Sequence, residues 1–473
     1  MGEEISAAEF NEADRAEFAA RLERETHLLR KYLQEGTLSA IGPTIGLELE
    51  AWLIDHNFYP APHNQSFLAR LDSDAVVSEL SQFNIEINTP VEDIAGEGLA
   101  RMHAHVSETM RLCAAHAHDD VDTVIAIGTL PTLREADLSL EMMTPSNRYS
   151  ALNREAMRLR EGAPIAIDID CATSGTPGFN ATYRDVMLEA ATTSLQLHLQ
   201  LAPEAMLRAY NASLILSAPL VAIAANAPFL FDRTLWHETR IPVFEQALAQ
   251  PHSRQRVTFG SGYARQDLVE VFEENLADYP VMLPMCRDQE DSAFSCLKLH
   301  NGTLWRWVRP LVGKNHDGTP HIRIEQRVMP AGPSVLDMMA NAALYFGAVH
   351  ELSEYIDAAM AELPFETAKA NFYAAARYGL GADVDWYGKQ GRRPVRQVVD
   401  ELIPMAERGL RKQGMAEQLI DKYLSTIASR LASGRNGASW QLAHYKRYGD
   451  LHRLTAAYLE NQRSGLPVHE WAL

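Results

Sequence analysis

Short stretches of this sequence place acidic, amide and cationic side chains at every second position. Glu48 and Glu50 alternate with Leu47, Leu49 and Ala51, and Glu86 stands between Ile85 and Ile87. Gln196 and His198 alternate with Leu195, Leu197 and Leu199, and Arg323, Glu325 and Arg327 keep the same parity beyond Ile322 and Ile324. Alternate side chains of a strand point to opposite faces, so each stretch has an apolar face and a polar one. Carboxylates two residues apart on one face sit roughly 7 Å from each other. Lysine is absent from all four polar faces, although exposed strands recruit it. Gathering Glu48, Glu50, Glu86 and Glu325 on one surface is costly unless cations compensate. Hard oxygen donors with His198 as one imidazole suit Mg²⁺ or Mn²⁺ better than zinc. Such a surface, flanked by Arg309, Arg323 and Arg327, fits phosphoryl transfer, where cations bridge phosphate oxygens and guanidinium groups stabilise transition-state charge. The sequence contains no GxxxxGK[ST] loop. A nucleotide would therefore bind through metals on a sheet.

The elements that must carry these residues are four strands, at 44–54, 84–89, 192–202 and 321–329. Their one-sided apolar faces predict an antiparallel or mixed sheet, covered by helices on one face and open on the other. Residues 7–35 read as a charged amphipathic helix, and nearly everything beyond about 333 has helical periodicity. The apolar stretch 213–231 contains Pro219, Asn226 and Pro228 and reads as a buried core helix. The expected fold class is α+β, with a helical arm over 1–39, a catalytic core over 40–350 and a helical region over 351–473.

Composition narrows the function. The 473 residues carry a net charge of −19. Such a surface repels phosphate backbones and anionic membranes, so neither nucleic acid nor membrane is an expected partner. Small-molecule substrates are, with self-association left open. Four cysteines without metal-knuckle or CxxC spacing, and no basic-then-apolar leader, point to a reducing cytoplasm.

Other constellations carry less. His103/His105 and His116/His118 are pairs two apart on or beside a helix near 96–117, and such positions do not face each other. The acidic run 118–122 reads as a solvated turn. Arg240 reads either as a bidentate clamp for a substrate carboxylate or nucleotide, or as a salt bridge to Glu238 or Glu245.

Taken in order, Gly46-Leu47-Glu48-Leu49-Glu50, Glu86-Ile87-Asn88-Thr89-Pro90, Gln196-Leu197-His198, Ala225-Asn226-Ala227-Pro228-Phe229, Val308-Arg309-Pro310 and Glu325-Gln326-Arg327 form a recognisable series. The chain resembles the second bacterial type of glutamate–cysteine ligase, carboxylate–amine ligases related in fold to glutamine synthetase. The resemblance implies a curved antiparallel sheet forming a funnel-shaped active site. It implies ATP as co-substrate and an acyl phosphate that an amine attacks. It maps metal ligands onto Glu48, Glu50, Glu86, His198 and Glu325, and the catalytic pair onto Glu325 and Arg327. Gln196, Arg309, Arg323, Arg240, Asn226 and Arg148 become nucleotide or substrate contacts. A phosphotransferase on the same fold, or a regulatory protein that binds nucleotide and metal without turnover, are the alternative readings. Leu130, the loop 230–233 and Met329 depart from the family pattern at places expected to shape substrate choice.

Overall fold

The computed structural model describes residues 4–117, 123–287 and 289–473, apart from the side chains of Lys389 and Gln390. An eight-stranded antiparallel sheet, curled into a half-barrel, organises the chain. Its order is Val308–Lys314, Pro320–Pro330, Ser194–Gln200, Thr44–Ile54, Asn84–Asn88 and Val76–Ser78, with Glu92–Asp93 and Thr123–Ile125 also pairing with Thr44–Ile54. All four strands read from alternation are present, and Thr44–Ile54 has the expected bounds.

Leu47, Leu49, Leu195, Leu197 and Ile324 turn their side chains into the core, each at most 2 % exposed. The apolar helices Pro203–Ala224 and Val335–Ser353 pack on this side. Pro203–Ala224 is long and apolar enough to cross a bilayer, and 89 % of its most apolar window is buried inside the protein. It starts ten residues before the apolar stretch read from sequence and ends at Ala224, before Asn226, because the chain turns at Ala225 toward Phe229–Leu230.

The C-terminal helices Val395–Lys412 and Glu417–Ser433 cover Val335–Ser353 in turn. Glycine permits that approach. A Cβ on Gly347 would lie 2.3 Å from the Ala406 carbonyl oxygen, and one on Gly409 would lie 2.0 Å from that of Gly347. Apolar residues from before, within and after the sheet join one hydrophobic cluster.

The N-terminal helix is Glu12–Gln34, starting five residues later than read from periodicity. Asn11 explains the start: its side chain accepts from the N–H groups of Ala13 and Asp14. Arg30 pairs with Asp267 and Glu273, and Glu25 accepts from the Leu297 N–H at 2.8 Å. The helix thus braces segment 267–301, which forms one wall of the cavity described next.

Candidate active site

The open face of the sheet floors a cavity of about 420 Å³. Register explains which side chains meet there. Glu48 lies opposite Gln196, Glu50 opposite Glu86, His198 opposite Glu325, and Glu325 opposite Arg309. Directly opposed residues share a face, so five strands deliver one contiguous polar surface. A register shift between Gln326 and Met329 interrupts the ladder at Arg327, whose N–H donates instead to the Trp307 carbonyl.

Two three-ligand groups result, Glu48–His198–Glu325 and Glu50–Glu79–Glu86, with the ligand atoms of each within 4.8 Å of one another. His198 Nε2 lies 3.0 Å from Glu48 Oε1. For a cation with bonds of about 2.1 Å, neighbouring octahedral ligands sit about 3 Å apart and opposite ones about 4 Å. The donor chemistry and spacing fit hard divalent cations.

The electrostatics of the two groups differ. Arg309 grips Glu325 with two bonds, Nε to Oε2 at 2.5 Å and Nη2 to Oε1 at 3.2 Å. Arg327 Nη1 donates to Glu325 Oε2 at 3.0 Å and to Gln196 Oε1 at 2.6 Å. Burial works against the Glu325 anion, but Arg309 and Arg327 hold its carboxyl down to about 2. Burial likewise opposes the Glu48 anion, which His198 and Arg323 keep well below the ordinary value. In the second group burial wins. It pushes Glu50 up to about 7 against the pull of Arg327, with Glu86 adding repulsion. Glu79 and Glu86 are raised by burial and by neighbouring carboxylates. One group is balanced by guanidinium charge; in the other, burial and mutual repulsion dominate.

The walls come from helix and loop segments. Arg148 and Tyr149 follow Ser146, which caps their helix through its hydroxyl. Burial lowers the Arg148 pKa. Arg323 Nε donates to His198 Nδ1 at 3.3 Å. Arg287 and Lys298 also line the cavity.

Ten of the twelve residues singled out from sequence therefore meet at or beside this cavity: Glu48, Glu50, Glu86, Arg148, Gln196, His198, Arg309, Arg323, Glu325 and Arg327. Asn226 and Arg240 do not. Asn226 is fully buried, its amide donating to the Ala331 carbonyl and the Tyr458 hydroxyl and accepting from Gln441. Arg240 is 2 % exposed, paired with Glu238 and bonded to the Val328 carbonyl. The salt-bridge reading of Arg240 holds, but inside the protein: a turn and a strand end need these polar groups to satisfy buried backbone. Leu130, Leu230 and Met329 are buried in the core, whereas Phe231 is half-buried and Asp232 and Arg233 are exposed; none of these departures from the family pattern lines the cavity. The histidine pairs diverge. His103 meets the Tyr423 hydroxyl, His105 the Asn88 carbonyl and His116 the Leu112 carbonyl. His118 and the acidic run to Asp122 lie outside the described residues.

Sequence reading missed Glu79 and Glu189. Glu79 directly follows the three-residue strand Val76–Ser78, and Val77 opposite Glu86 sets its parity. That strand is too short to show alternation. Glu189 sits on a 3₁₀ turn, Met187–Ala191, which has no strand periodicity at all.

Comparisons with known proteins agree with this geometry. The chain is 34 % identical over 155 residues to the putative glutamate–cysteine ligase 2-1 of Frankia casuarinae, a match covering 31 % of this chain and 37 % of that protein's length. The fold is similar to that of glutamate–cysteine ligase from Francisella tularensis in complex with AMP, with a TM-score of 0.56 and 12 % identity over 89 % of both chains. It is also similar to that of a bifunctional glutathione synthetase from Pasteurella multocida, with a TM-score of 0.55 and 12 % identity over 93 % of this chain and 54 % of that one. At such identities the likeness is one of fold. The sequence pattern of glutamate-cysteine ligase family 2 (GCS2) matches residues 44–457, which include every strand of the sheet and every carboxylate of the cavity, and the chain belongs to that family.

Proposed function

We propose that the protein is an ATP-dependent carboxylate–amine ligase, with glutamate and cysteine the first pair to test. The observation that carries this reading is the pairing on one sheet face of a three-carboxylate group, Glu50–Glu79–Glu86, with the Arg309–Glu325–Arg327 cluster. Mg²⁺ or Mn²⁺, when bound by these two groups and His198, would neutralise the phosphates and draw electrons from the transferring one. Everything else is work for the chain's own side chains. Gln196 and Glu325 hold the Arg327 guanidinium in one orientation, so its fork is pre-set to meet charge as it develops on a phosphoryl group. Arg309 keeps Glu325 ionised and fixed. Arg148, which lines the same cavity, suits a carboxylate of an amino-acid substrate. The same reading places the reaction in the cytoplasm, where ATP is available.

The test is ADP release over a matrix of amino acids and amines with Mg²⁺ or Mn²⁺, followed by product analysis. Amine-dependent ADP release with an amide product supports the ligase. A phosphorylated product without amide would make the protein a phosphotransferase. Calorimetry should show ATP binding that collapses in EDTA, and undiminished affinity in metal-free buffer would refute binding through metals.

A further inference from the structure

Among the described residues, Glu189 is the one cavity carboxylate outside both three-ligand groups. Its backbone is fixed. The Glu189 carbonyl accepts from both the N–H and the hydroxyl of Thr192, at 3.1 and 2.9 Å, and Met187, Leu188, Ala190 and Ala191 around it are buried. The turn therefore presents one carboxylate to the cavity from a rigid base. Among the described residues that side chain accepts no hydrogen bond and joins no ion pair. Its charged neighbours in the cavity include Glu50, Glu79 and Arg327.

A carboxylate held out of bulk water beside a second carboxylate needs a cation. A divalent ion takes several oxygen ligands, and Glu50 and Glu79, the nearby anions, already belong to another group. A primary ammonium is satisfied by fewer acceptors. The cavity lining also includes Leu80, Leu152 and Val186, apolar side chains that would take a short carbon chain attached to that ammonium. Position relative to Arg327 decides which substrate it is. To attack, the ammonium gives a proton to the Glu189 carboxylate, and its nitrogen then adds to the carbonyl carbon of the acyl phosphate and expels phosphate on its oxygen, so its binding group belongs beside the residue that meets the phosphate.

We propose that Glu189 recognises the ammonium group of the acceptor amine and thereby helps set acceptor specificity. The assignment rests on the ligase reading above. Burial and the Glu50 charge, against the pull of Arg327, push the Glu189 carboxyl up to about 8, the direction expected of an anion that lacks its counter-ion.

The experiment compares wild type with Glu189→Gln, using the best donor and acceptor found by the substrate matrix. Hydroxylamine is small and mostly uncharged near neutral pH, so it traps an acyl phosphate as hydroxamate without needing an ammonium site. In Glu189→Gln, amide formation should fall about 10- to 100-fold further than hydroxamate formation, mainly through a raised acceptor KM, the usual size for losing a charged hydrogen-bond partner. A merely structural role would lower both reactions in equal proportion, and that result, or no loss at all, overturns the proposal. Glu189→Asp keeps the charge with a shorter reach and should fall between the two. A second readout is independent of turnover: saturation-transfer NMR with ethylammonium chloride should show binding to wild type that Glu189→Gln loses. If wild type forms neither hydroxamate nor amide with any donor, the ligase reading fails. Ethylammonium binding then still decides Glu189: equal signals from both proteins would overturn the ammonium site.

Discussion

Glu50→Gln and Glu325→Gln remove the same charge from the same sheet face and should move stability in opposite directions. In metal-free protein the Glu50 carboxyl stands near 7 against an ordinary 4.5. Between those values the folded chain keeps a proton that the unfolded chain has lost, so stability falls as pH rises, and above about 7 the full cost applies. At about 1.4 kcal/mol per pH unit this is about 3 kcal/mol. Glutamine removes that cost but has only one oxygen for two donors, the Ser194 N–H at 2.6 Å and Gln196 Nε2 at 2.9 Å. An orphaned donor costs about 1–2 kcal/mol, leaving a net gain of about 1–2 kcal/mol. Glu325 is the reverse case. Its carboxyl is held near 2, and its loss leaves Arg309 and Arg327 buried without their counter-ion. Breaking a buried pair in this way costs about 3–5 kcal/mol. With an unfolding entropy of about 2.1 cal/mol/K per residue, a cooperative chain of 473 residues shifts its Tm by about one degree per kcal/mol. Scanning calorimetry in EDTA at pH 8, at one scan rate, should place Glu50→Gln about 1–2 °C above wild type and Glu325→Gln about 3–5 °C below it. Equal shifts of the same sign, or a Glu325→Gln variant as stable as wild type, would refute the division into one group balanced by arginine and one dominated by burial and repulsion.

Further outcomes follow from the same geometry. In EDTA the wild-type Tm should fall between about pH 4.5 and 8, because Glu50 and Glu189, raised to about 7 and about 8, hold protons in the folded state that the unfolded state has lost. Added Mg²⁺ should flatten that slope in a differential scan, and Glu50→Gln should show a shallower slope without metal; a Tm that rises over this range would contradict it. Arg327→Lys keeps a charge but cannot bond both Glu325 and Gln196 in one plane, so steady-state kinetics should show kcat falling about 10²-fold or more with little change in ATP affinity. A normal kcat with a raised KM for ATP would limit Arg327 to ground-state binding. Asn226→Ala should lower Tm while leaving the KM values of folded enzyme unchanged, since its partners are Ala331, Gln441 and Tyr458.

Much of the sheet and its chemistry was legible because alternation with period two is a local signal. Once Ile45, Leu47 and Leu49 face inward, Glu48 and Glu50 must face the cavity. Glu79 and Glu189 were invisible to that logic, since a three-residue strand and a 3₁₀ turn have no period to read. Asn226 and Arg240 lie in or near stretches that resemble the family, yet their side chains serve long-range packing. Nothing within a few residues of Asn226 reveals that its partners come from positions 441 and 458. Which cavity groups are balanced by arginine was equally hidden, because it depends on Arg309 standing opposite Glu325 across a strand pair.

The late partners of Asn226 bear on how the chain is made. The last sheet strand ends at Pro330, whereas Gln441 and Tyr458, which close the Asn226 turn, and the helix bearing Gly409, which meets Gly347, come afterwards. At a synthesis rate of about 5–20 residues per second, a complete sheet waits roughly ten seconds on the ribosome before Tyr458 exists. Until Val395–Lys412 and Glu417–Ser433 are made, the apolar flank of Val335–Ser353 that they cover is bare. A nascent protein of this design should be a strong client for chaperones that bind exposed helical hydrophobic surface, and codon changes that slow translation between positions 350 and 460 should reduce its soluble yield without altering a single residue.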